Sequence, residues 1–543
     1  MSNAPFINWL KTNFSSILYK TPIYNWILDK NLSSVLSNIY IDQWPGNYES
    51  GENLLRGYVN FSGEIVRYSN SIWDKNSASK FWNKELHSFN WIRDLRIIGS
   101  NQSRLFTRDS IAEWINKYNK WSGLEWQSNI IGKRIYNILG NFNFFCSSAD
   151  DGYKEILLES ISKQGKHLMN NNLKDVNGFE KIYGIKGIII CSLCIGNFEK
   201  YFKIGIYFLL IEIKTQVLTD GTHYLKSPSI HLEFLRNLID IKGLLSKSKK
   251  KVPDEINLTI SKMASILKFF RLGNGQLATF NNSKYVKKIL IDQVLLRANS
   301  KIKVPEDTLT SKFHKISENK LNFLMDCGNP VKENSFAGSL SFEFSYGKNM
   351  LVVNCGSPHV YNKKWSQAMK STAAHSTLMI DNINSSDIFF NNKSSGRQAK
   401  VWSRKKNKIN SHWIDSAHSG YKKLFGLIHS RKIHLDTKEL ILRGQDYFAQ
   451  TTNDYSLIPK KYYIRFHLHP DVNVSLTGSK KKAILKLKDG NGWEFLCSES
   501  SLEIGESIYL GEGEKIIKNS HLLISNTIIP EKKIKWLFKL IRS

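Results

Sequence analysis

A short polar segment near position 220 carries the side chains best suited to chemistry. It reads Thr219-Asp-Gly-Thr-His-Tyr-Leu-Lys-Ser-Pro-Ser229 and lies between two apolar segments with helical periodicity. Connections of this kind are where a helical scaffold carries its polar chemistry. His223 and Tyr224 place an imidazole beside a phenol, a pair that can take one proton and donate another. We therefore predict that both are catalytic; the alternative is a histidine that caps the next helix and a tyrosine packed in the loop.

Three further residues in the first half are candidates for binding a substrate. His231, one turn into the helix after the segment, either contacts substrate or is a buried structural histidine. Arg134 has the planar fork that holds a carboxylate through two hydrogen bonds, and a surface ion pair is the equal alternative. Trp126, with Trp114 and Trp121, could offer a flat ring on which sugars stack, and the alternative is a place in the helical core.

The second half of the chain adds three candidates. His375 opens a predicted strand and is predicted to be catalytic, with a strand-end hydrogen bond as the alternative. His418 and Tyr421 flank a Gly-containing turn. From there they could reach a groove between the two halves and bind substrate.

The elements that must position these residues change type near residue 300. Before it, apolar residues recur every three or four positions, as in Leu232, Leu235 and Leu238, which indicates helices. Short connections between the segments predict stacked antiparallel pairs, either an α-solenoid or a closed α/α toroid. The predicted helices span 5–40, 79–99, 107–120, 127–145, 151–169, 180–196, 199–218, 228–245, 254–270 and 283–299.

After residue 300, short β-branched and aromatic runs are bounded by Gly, Asn and Asp, a pattern typical of antiparallel hairpins. Lys486-Leu-Lys-Asp-Gly-Asn-Gly-Trp493 is the clearest hairpin signal. The second half is therefore predicted to be an antiparallel β-sandwich. The predicted strands span 339–345, 350–354, 376–380, 432–435, 439–442, 463–468, 482–487, 507–510 and 521–524.

Composition limits the class of protein. A chain of 543 residues is too long for one ordinary core, and 41% hydrophobic residues exclude a disordered chain. The net charge of +30 permits a polyanionic partner, although a general bias toward Lys, Ile and Asn would produce it too. Six scattered cysteines indicate no disulfide framework. No apolar run is long enough for a membrane span, and the first thirty residues show no conventional signal peptide, which favours the cytoplasm.

Several segments occur in an order shared with one known family. They are the segment at 219–229, Phe89-Asn-Trp-Ile-Arg-Asp-Leu95, Arg271-Leu-Gly-Asn-Gly-Gln-Leu-Ala-Thr-Phe280, Ala337-Gly-Ser-Leu-Ser-Phe-Glu-Phe344, Ser371-Thr-Ala-Ala-His-Ser-Thr-Leu378 and Arg465-Phe-His-Leu-His-Pro470. In this order the chain resembles the heparinase II/III family, lyases that cut acidic polysaccharides. The resemblance implies a helical extension (1–75), an α/α toroid (76–300) and an antiparallel β-sandwich (301–543). It also implies the cell envelope or periplasm as the compartment, so the localisation stays open.

The family's reaction removes a proton beside the carboxylate of a uronic acid, which needs a base, an acid and a group that neutralises the carboxylate. The resemblance implies an Asn or Asn–His pair and a Tyr from the helices, a His from the sandwich and, in some members, a structural zinc. This chain has Ile230 at the Tyr position, Phe336 at the His position and Asn354 at a zinc-ligand position. The run 170–172 lies near the place for the Asn, although a solvated loop is favoured there. His375 alone cannot hold zinc, so we predict no metal and no cofactor.

Three hypotheses remain. The first is a carbon–oxygen lyase that cleaves an acidic polysaccharide with His223, Tyr224 and His375. The second is a non-catalytic protein of the same fold that binds a polyanionic glycan or takes part in envelope assembly. The third, nucleic-acid binding through the +30 charge, is not expected because no recognition motif accompanies the charge. The predicted partner is an acidic polysaccharide, and the sequence leaves the oligomeric state open.

Overall fold

The computed structural model describes residues 17–61, 63–74, 77–334, 336–358, 363–388, 396–451, 456–513 and 515–541. They form two compact units, one from 17–216 with 236–258 and the other from 217–235 with 259–541. Helices make up most of the first unit, and antiparallel strands most of the second. The predicted order, helices followed by antiparallel sheets, is confirmed. The domain boundaries at 75 and 300 stay predictions.

The helices that precede the large sheets are short to medium in length. They are α1 (Pro22–Asp29), α2 (Tyr48–Leu55), α3 (Lys80–His87), α4 (Ile92–Ile98), α5 (Asn101–Tyr118), α6 (Ser128–Gly140), α7 (Phe142–Cys146), α8 (Asp151–Asn171), α9 (Lys181–Cys194), α10 (Phe202–Gln216), α11 (Pro228–Lys247), α12 (Asp254–Phe269) and α13 (Lys288–Ala298). Of the helices in the described residues, none is long and apolar enough to cross a bilayer.

Helices α6 and α9 cross at glycines. A Cβ atom added to Gly132 would lie 2.0 Å from the carbonyl oxygen of Tyr183, and one added to Gly187 would lie 2.6 Å from the Cα atom of Gly132. These distances are shorter than any real carbon contact, so the two backbones can meet only where the side chains are absent. The crossing keeps α6, which carries Arg134, fixed against α9 in the core of the unit.

The first hundred residues differ from the helical prediction in three places. Within 5–40, of which 5–16 lie outside the described residues, helix α1 begins at Pro22, where Thr21 caps it by accepting the N–H of Tyr24, and it ends at Asp29. Strands β1 (Tyr58–Phe61) and β2 (Glu64–Arg67) form a hairpin that helical periodicity does not reveal. The predicted helix 79–99 is interrupted at Phe89, whose φ of +61° a helix cannot contain.

The second unit contains two large antiparallel sheets. One has the strand order β13-β14-β15-β18-β11-β10-β9-β8, and the other has β16-β17-β12-β6-β5-β4-β3 with β7 beside β12. The strands are β3 (Phe313–Glu318), β4 (Leu321–Asp326), β5 (Phe342–Tyr346), β6 (Asn349–Val353), β7 (Leu378–Ile380), β8 (Val401–Lys408), β9 (Ser411–His418), β10 (Leu427–Asp436), β11 (Ile441–Gln450), β12 (Lys461–Leu468), β13 (Asn473–Leu476), β14 (Lys482–Lys486), β15 (Gly492–Cys497), β16 (Leu502–Tyr509), β17 (Ile517–Thr527) and β18 (Ile534–Leu540). Two short helices, α14 (Lys363–Ala368) and α15 (Lys422–Phe425), lie between strands.

The inner faces of the two sheets share one apolar core. Phe342 of one sheet stacks on Trp536 of the other with ring centroids 5.7 Å apart, and Phe466 packs edge-on against the same indole at 4.8 Å. Burial alternates along β18, as expected for strands with one face in a core. The predicted β-sandwich is therefore confirmed. Strands β8, β9, β13 and β18 and the β3–β4 hairpin were not predicted. The turn residues of that hairpin, Asn319 and Lys320, have φ of +50° and +68°, which local sequence did not reveal.

Candidate functional site

The segment at 219–231 is built around the carboxylate of Asp220. One oxygen of Asp220 accepts the N–H of Thr222 at 3.0 Å, and the other accepts the N–H groups of Thr310 and Ser311 at 2.9 and 2.8 Å. Burial alone would raise the pKa of Asp220, but these backbone bonds lower it below its usual value. Gly221 follows with a φ of +90°, where a Cβ atom would lie 2.9 Å from Lys262. Asp220 therefore fixes the turn.

His223 and His231 are bonded to each other inside this unit. The Nε2 atom of His231 donates to the carbonyl oxygen of Met263 at 2.8 Å, and its Nδ1 atom accepts the N–H of His223 at 3.2 Å. Both side chains are fully buried. Both ring nitrogens of His231 are thereby used within the chain. His231 therefore anchors the polar segment to helix α12, and the prediction that it binds substrate stays a prediction.

The rings of His223 and Tyr224 lie side by side, with centroids 5.0 Å apart. The Nδ1 atom of His223 accepts the N–H of Leu225 at 3.3 Å, and Phe234 packs on the ring at 5.2 Å. Burial, together with the nearby His231, lowers the pKa of His223 to about 3. The imidazole is therefore neutral, while Tyr224 is only half-buried. A catalytic role for this pair stays a prediction.

Arg134 is held inside the helical unit with all three guanidinium nitrogens bonded. Its Nε atom donates to Gln164 at 2.8 Å, and its two terminal nitrogens donate to the carbonyl oxygens of His87 and Glu125 at 2.9 Å each. The guanidinium also lies 4.0 Å from the ring centroid of Trp114, and burial lowers its pKa to about 9. Arg134 ties three helical segments together and has no exposed surface; the carboxylate clamp stays a prediction.

Trp126 is a core residue. Only 1% of it is exposed, and its Nε1 atom donates to the carbonyl oxygen of Tyr118 at 2.9 Å. Its ring packs edge-on against His167 with centroids 5.4 Å apart. Trp126 therefore lies where the alternative expects it, in the helical core, and a role in stacking sugars stays a prediction.

His418 and Tyr421 belong to the interior of the sandwich. His418 accepts the N–H of Gly420 at its Nδ1 atom (3.0 Å) and lies 3.1 Å through Nε2 from Nδ1 of His429. His429 in turn bonds Asp446 at 2.7 Å. The hydroxyl of Tyr421 donates to two backbone carbonyl oxygens at 3.3 Å. Both residues are fully buried and pack in the core, and the prediction that they bind substrate stays a prediction.

His375 lies against the position where the resemblance implied a catalytic histidine. Its ring packs edge-on against Phe336 with centroids 6.1 Å apart, and its Nδ1 atom donates to the carbonyl oxygen of Ser371 at 2.7 Å. Burial lowers the pKa of His375 to about 4, so the ring is neutral. Its catalytic role stays a prediction.

The same region contains Asn354, the position at which the resemblance implied a ligand of a structural zinc. The amide of Asn354 donates to Glu343 at 3.2 Å and accepts the N–H of Ser376 at 3.0 Å. An amide so engaged is a poor zinc ligand. In the part of the chain that the structure describes, no three His, Cys, Asp or Glu side chains are grouped to hold a metal. These residues do not fit a structural zinc.

A cavity beside strands β12 and β17, lined by both apolar and polar side chains, was not found from the sequence. It has a volume of about 650 Å³ and is lined by Arg465 of β12 and by Lys518, Asn519 and His521 of β17. Of the described side chains, the buried atoms Arg465 Nη1, Asn519 Oδ1 and His521 Nδ1 have no hydrogen-bond partner. Leaving buried polar atoms unsatisfied is costly, so they are the atoms with most to gain from a ligand. We call this cavity the Arg465 pocket.

Other groups complete the lining of the Arg465 pocket. His467 is bonded through Nδ1 to Ser507 at 2.7 Å and through Nε2 to the carbonyl oxygen of Ala373 at 2.9 Å. Glu506 also lines the cavity and supplies a carboxylate. Burial keeps the guanidinium pKa of Arg465 lowered, yet an arginine stays charged at neutral pH. The pocket therefore contains a cation whose Nη1 atom, with two N–H groups, has no hydrogen-bond partner among the described residues.

A second polar group lies in the helical unit. The hydroxyl of Tyr24 and Nδ1 of His167 are 2.7 Å apart. Nearby, Asn171 ends helix α8, donates to Ser128 at 3.1 Å and accepts from Tyr19 at 3.3 Å. Burial lowers the pKa of His167 to about 3 and raises that of Tyr24. Asn171 is buried, so the preference for a solvated loop at 170–172 is wrong at this residue.

Sequence signals for these two groups exist but are weak. Arg465 and His467 lie in a segment already singled out, with period-two alternation that places both on one face of a strand. His167 and Asn171 are four residues apart in a helix and so share a face. Neither pattern reveals that Asn519 or Tyr24 would be the partner.

Comparisons with known proteins agree with this architecture. The model of the heparinase II/III N-terminus matches residues 61–304, and that of the heparinase II/III-like C-terminal domain matches residues 305–537. A curated relative, FtsZ-localized protein C of Caulobacter vibrioides, is 25% identical over 516 residues, covering 91% of this chain and 88% of that protein.

Solved structures show the same fold at low identity. Heparinase III has a TM-score of 0.70 and 12% identity, with 94% of this chain and 86% of that chain covered. A mutant of the heparan sulfate lyase HepC from Pedobacter heparinus has a TM-score of 0.66 and 15% identity, with 96% and 87% covered. The fold is thus an α/α toroid followed by an antiparallel β-sandwich. With both domains matched in order, the chain belongs to the heparinase II/III-like family of polysaccharide lyases.

Proposed function

We propose that this chain binds an acidic, uronate-containing polysaccharide at the Arg465 pocket and does not cleave it. The observation that carries the proposal is the buried Nη1 atom of Arg465, which has no hydrogen-bond partner among the described residues. A carboxylate or sulfate oxygen is the natural acceptor for such an N–H, because bonds between a guanidinium and an oxyanion are short and strong.

The cavity suits one or two sugar rings. Its volume of about 650 Å³ lies inside the range of small-molecule sites. The Oδ1 atom of Asn519, which has no hydrogen-bond partner among the described residues, can accept from a sugar hydroxyl, and Lys518 adds a second cation to the lining. The ligand would therefore combine one negatively charged group with neighbouring hydroxyls, as a uronate does.

Loss of turnover is supported by the predicted catalytic residues. His223 and His375 are buried and neutral, and each has a ring nitrogen committed to a bond within the chain. The positions that the resemblance assigns to the acid and base hold Ile230 and Phe336, neither of which moves a proton. The curated relative is named for its localisation with FtsZ and not for a reaction, which also supports a non-catalytic role.

Binding of a heparan sulfate tetrasaccharide, measured by calorimetry, tests the proposal. Arg465→Gln should weaken binding by roughly tenfold to a hundredfold, the equivalent of one charge-assisted hydrogen bond. Arg465→Lys should retain part of the affinity, since it keeps the charge. Arg56→Gln, which removes an exposed arginine of the helical unit, is the matched control. Equal affinity of wild type and Arg465→Gln would reject the pocket as the binding site.

A second candidate function is β-elimination, and the Tyr24–His167 pair favours it. Tyr24 and His167 are buried, as His223 and His375 are, but they place a phenol 2.7 Å from a neutral imidazole. With the Asn171 amide they supply the acid, base and polar partner that the reaction needs. If this pair is active, ultraviolet absorbance from unsaturated uronate should rise when heparan sulfate or polygalacturonate is added. Tyr24→Phe should then abolish the rise. No increase with wild type on either polymer rejects this candidate.

A further inference from the structure

The outer face of one sheet of the sandwich carries a row of side chains that the core does not use. In the register of β8 to β11, Lys406 lies opposite Trp413, Trp413 opposite His434, and His434 opposite Arg443. Neighbouring strands are roughly 4.8 Å apart, so the row extends over about 15 Å. Lys432 and Lys535 lie on the same face of the sheet. We call the surface formed by the row and these two lysines the Trp413 face.

An aromatic platform stands in the middle of the Trp413 face. The indole of Trp413 and the imidazole of His434 are stacked with centroids 3.9 Å apart and planes 17° from parallel. His434 is held in place by Ser411 at 3.0 Å. Trp413 is nevertheless 42% exposed. An indole stacked on an imidazole and still partly exposed to solvent is a preformed surface on which the C–H face of a sugar can pack.

A groove of about 400 Å³ runs along this platform. Lys432, Arg443 and Lys535 line it, and Leu496 and Leu537 contribute apolar surface. The cations are weakly neutralised: Lys432 lies 3.8 Å from Asp415 and Arg443 lies 4.0 Å from Asp436, and the side chains are solvent-accessible. Pairs of this length and exposure are worth little, so the positive charge remains available to a ligand.

We propose that the Trp413 face is a second binding surface, which holds a linear acidic polysaccharide along the sheet with a sugar ring on Trp413. Carboxylate or sulfate groups on either side of that ring meet Lys406 and Arg443, while Lys432 and Lys535 contact the next charged group. The choice of ligand class rests on the proposed function. The surface itself rests on the register, the stacked rings and the charges.

The arrangement favours a glycan over single-stranded nucleic acid. A sheet that binds RNA presents neighbouring aromatic rings on which successive bases stack. The other exposed indole on this face, Trp402, pairs with Ala417, four residues along β9 from Trp413, which is roughly 13 Å. Single rings set this far apart among cations suit a chain whose rings are joined by glycosidic bonds.

The test uses the full-length protein with heparan sulfate polymer and with the tetrasaccharide. The triple variant Lys406→Gln, Trp413→Ala, Arg443→Gln should bind the polymer about tenfold more weakly. Its affinity for the tetrasaccharide, set by the Arg465 pocket, should not change. Trp26→Ala, which removes an exposed indole of the helical unit, is the control. The melting temperature shows that each variant is folded.

The possible failures are distinguishable. Unchanged affinity of the folded triple variant for the polymer overturns the Trp413 face, whereas an unaffected Arg465→Gln overturns only the Arg465 pocket. Absence of polymer binding by wild type overturns the surface as well. A single-stranded DNA that binds at physiological salt as tightly as heparan sulfate, displaces it and loses affinity in the triple variant would assign the face to nucleic acid.

Discussion

The Nε2 atom of His231 donates to the carbonyl oxygen of Met263 at 2.8 Å. This bond fixes the tautomer of the ring, so that Nδ1 can accept the N–H of His223. His231, which sequence alone makes a candidate for binding substrate, thereby connects helices α11 and α12 to the polar segment. Its substitution should affect stability before it affects binding.

His231→Ala should lower the free energy of unfolding by about 2–4 kcal/mol, because it leaves two buried backbone groups without partners and opens a cavity. Urea denaturation measures the change. His412→Ala, on a less buried side chain that bonds Glu318, is the control and should cost under about 1 kcal/mol. A folded His231→Ala variant with wild-type stability and lost glycan binding would contradict the structural role.

Stability should fall in mildly acidic solution. The folded-state pKa is about 3 for His223 and about 4 for His231 and His375, against about 6.5 for an unfolded histidine. The unfolded chain therefore binds more protons between pH 6.5 and 4, and unfolding is favoured as pH drops through that window. Each such histidine contributes up to about 1.4 kcal/mol per pH unit there. Denaturation midpoints that stay constant from pH 7 to 5 would contradict buried neutral rings.

Asp446 should be essential to the core of the sandwich. Its carboxylate is fully buried and accepts from Arg431 at 2.7 and 3.1 Å, from Trp536 at 2.8 Å and from His429 at 2.7 Å. Burial alone would raise its pKa, but the charge of Arg431 and these bonds hold the pKa well below the usual range. Asp446→Asn leaves Arg431 buried without a counter-charge and should cost about 3–5 kcal/mol.

Thermal or urea unfolding of Asp446→Asn measures this cost, with the exposed Asp415→Asn as the matched control. A loss below about 1 kcal/mol for Asp446→Asn would mean that water or another group neutralises Arg431.

The α6–α9 crossing predicts an unusual response to alanine. In a helix, Gly→Ala is normally stabilising by roughly 0.5–1 kcal/mol. Gly132→Ala should instead destabilise, since the new Cβ atom would lie 2.0 Å from the carbonyl oxygen of Tyr183 and must push the helices apart. Gly152→Ala, near the start of helix α8, meets only the side-chain oxygen of Asp150 at 3.3 Å and is the control. Gly132→Ala with a raised melting temperature would contradict the close crossing.

Periodicity predicted most of the fold because helices and half-buried strands each expose one face. The spacing of apolar and polar residues along the chain therefore indicates the type of element. It failed at Phe89 and at the turn Asn319-Lys320, where packing decides the backbone conformation. It also missed the β1–β2 hairpin and strands β8, β9, β13 and β18. The candidate site was harder to predict. His231, Arg134 and Tyr421 have side chains that suit a ligand, and only the fold shows that their polar atoms are already bonded.

Other residues of the candidate sites were not predicted because their partners are far away in the sequence. Arg465 and Asn519 are more than fifty positions apart, and their cavity arises because β12 and β17 pair in the sheet. Tyr24 meets His167 across a separation of 143 positions. Local sequence patterns carry no information about such pairings. That Nη1 of Arg465 lacks a hydrogen-bond partner among the described residues can be recognised only when the positions of all neighbouring acceptors are known.

One titration distinguishes binding of the glycan at the Arg465 pocket without cleavage from binding followed by cleavage. Heparan sulfate tetrasaccharide is added to wild type and to Arg465→Gln while heat of binding and ultraviolet absorbance are recorded on the same samples. We expect saturable heat with wild type, much weaker binding by the variant, and no new absorbance from either. Rising absorbance with wild type, or identical isotherms for the two proteins, would contradict binding without cleavage at this guanidinium.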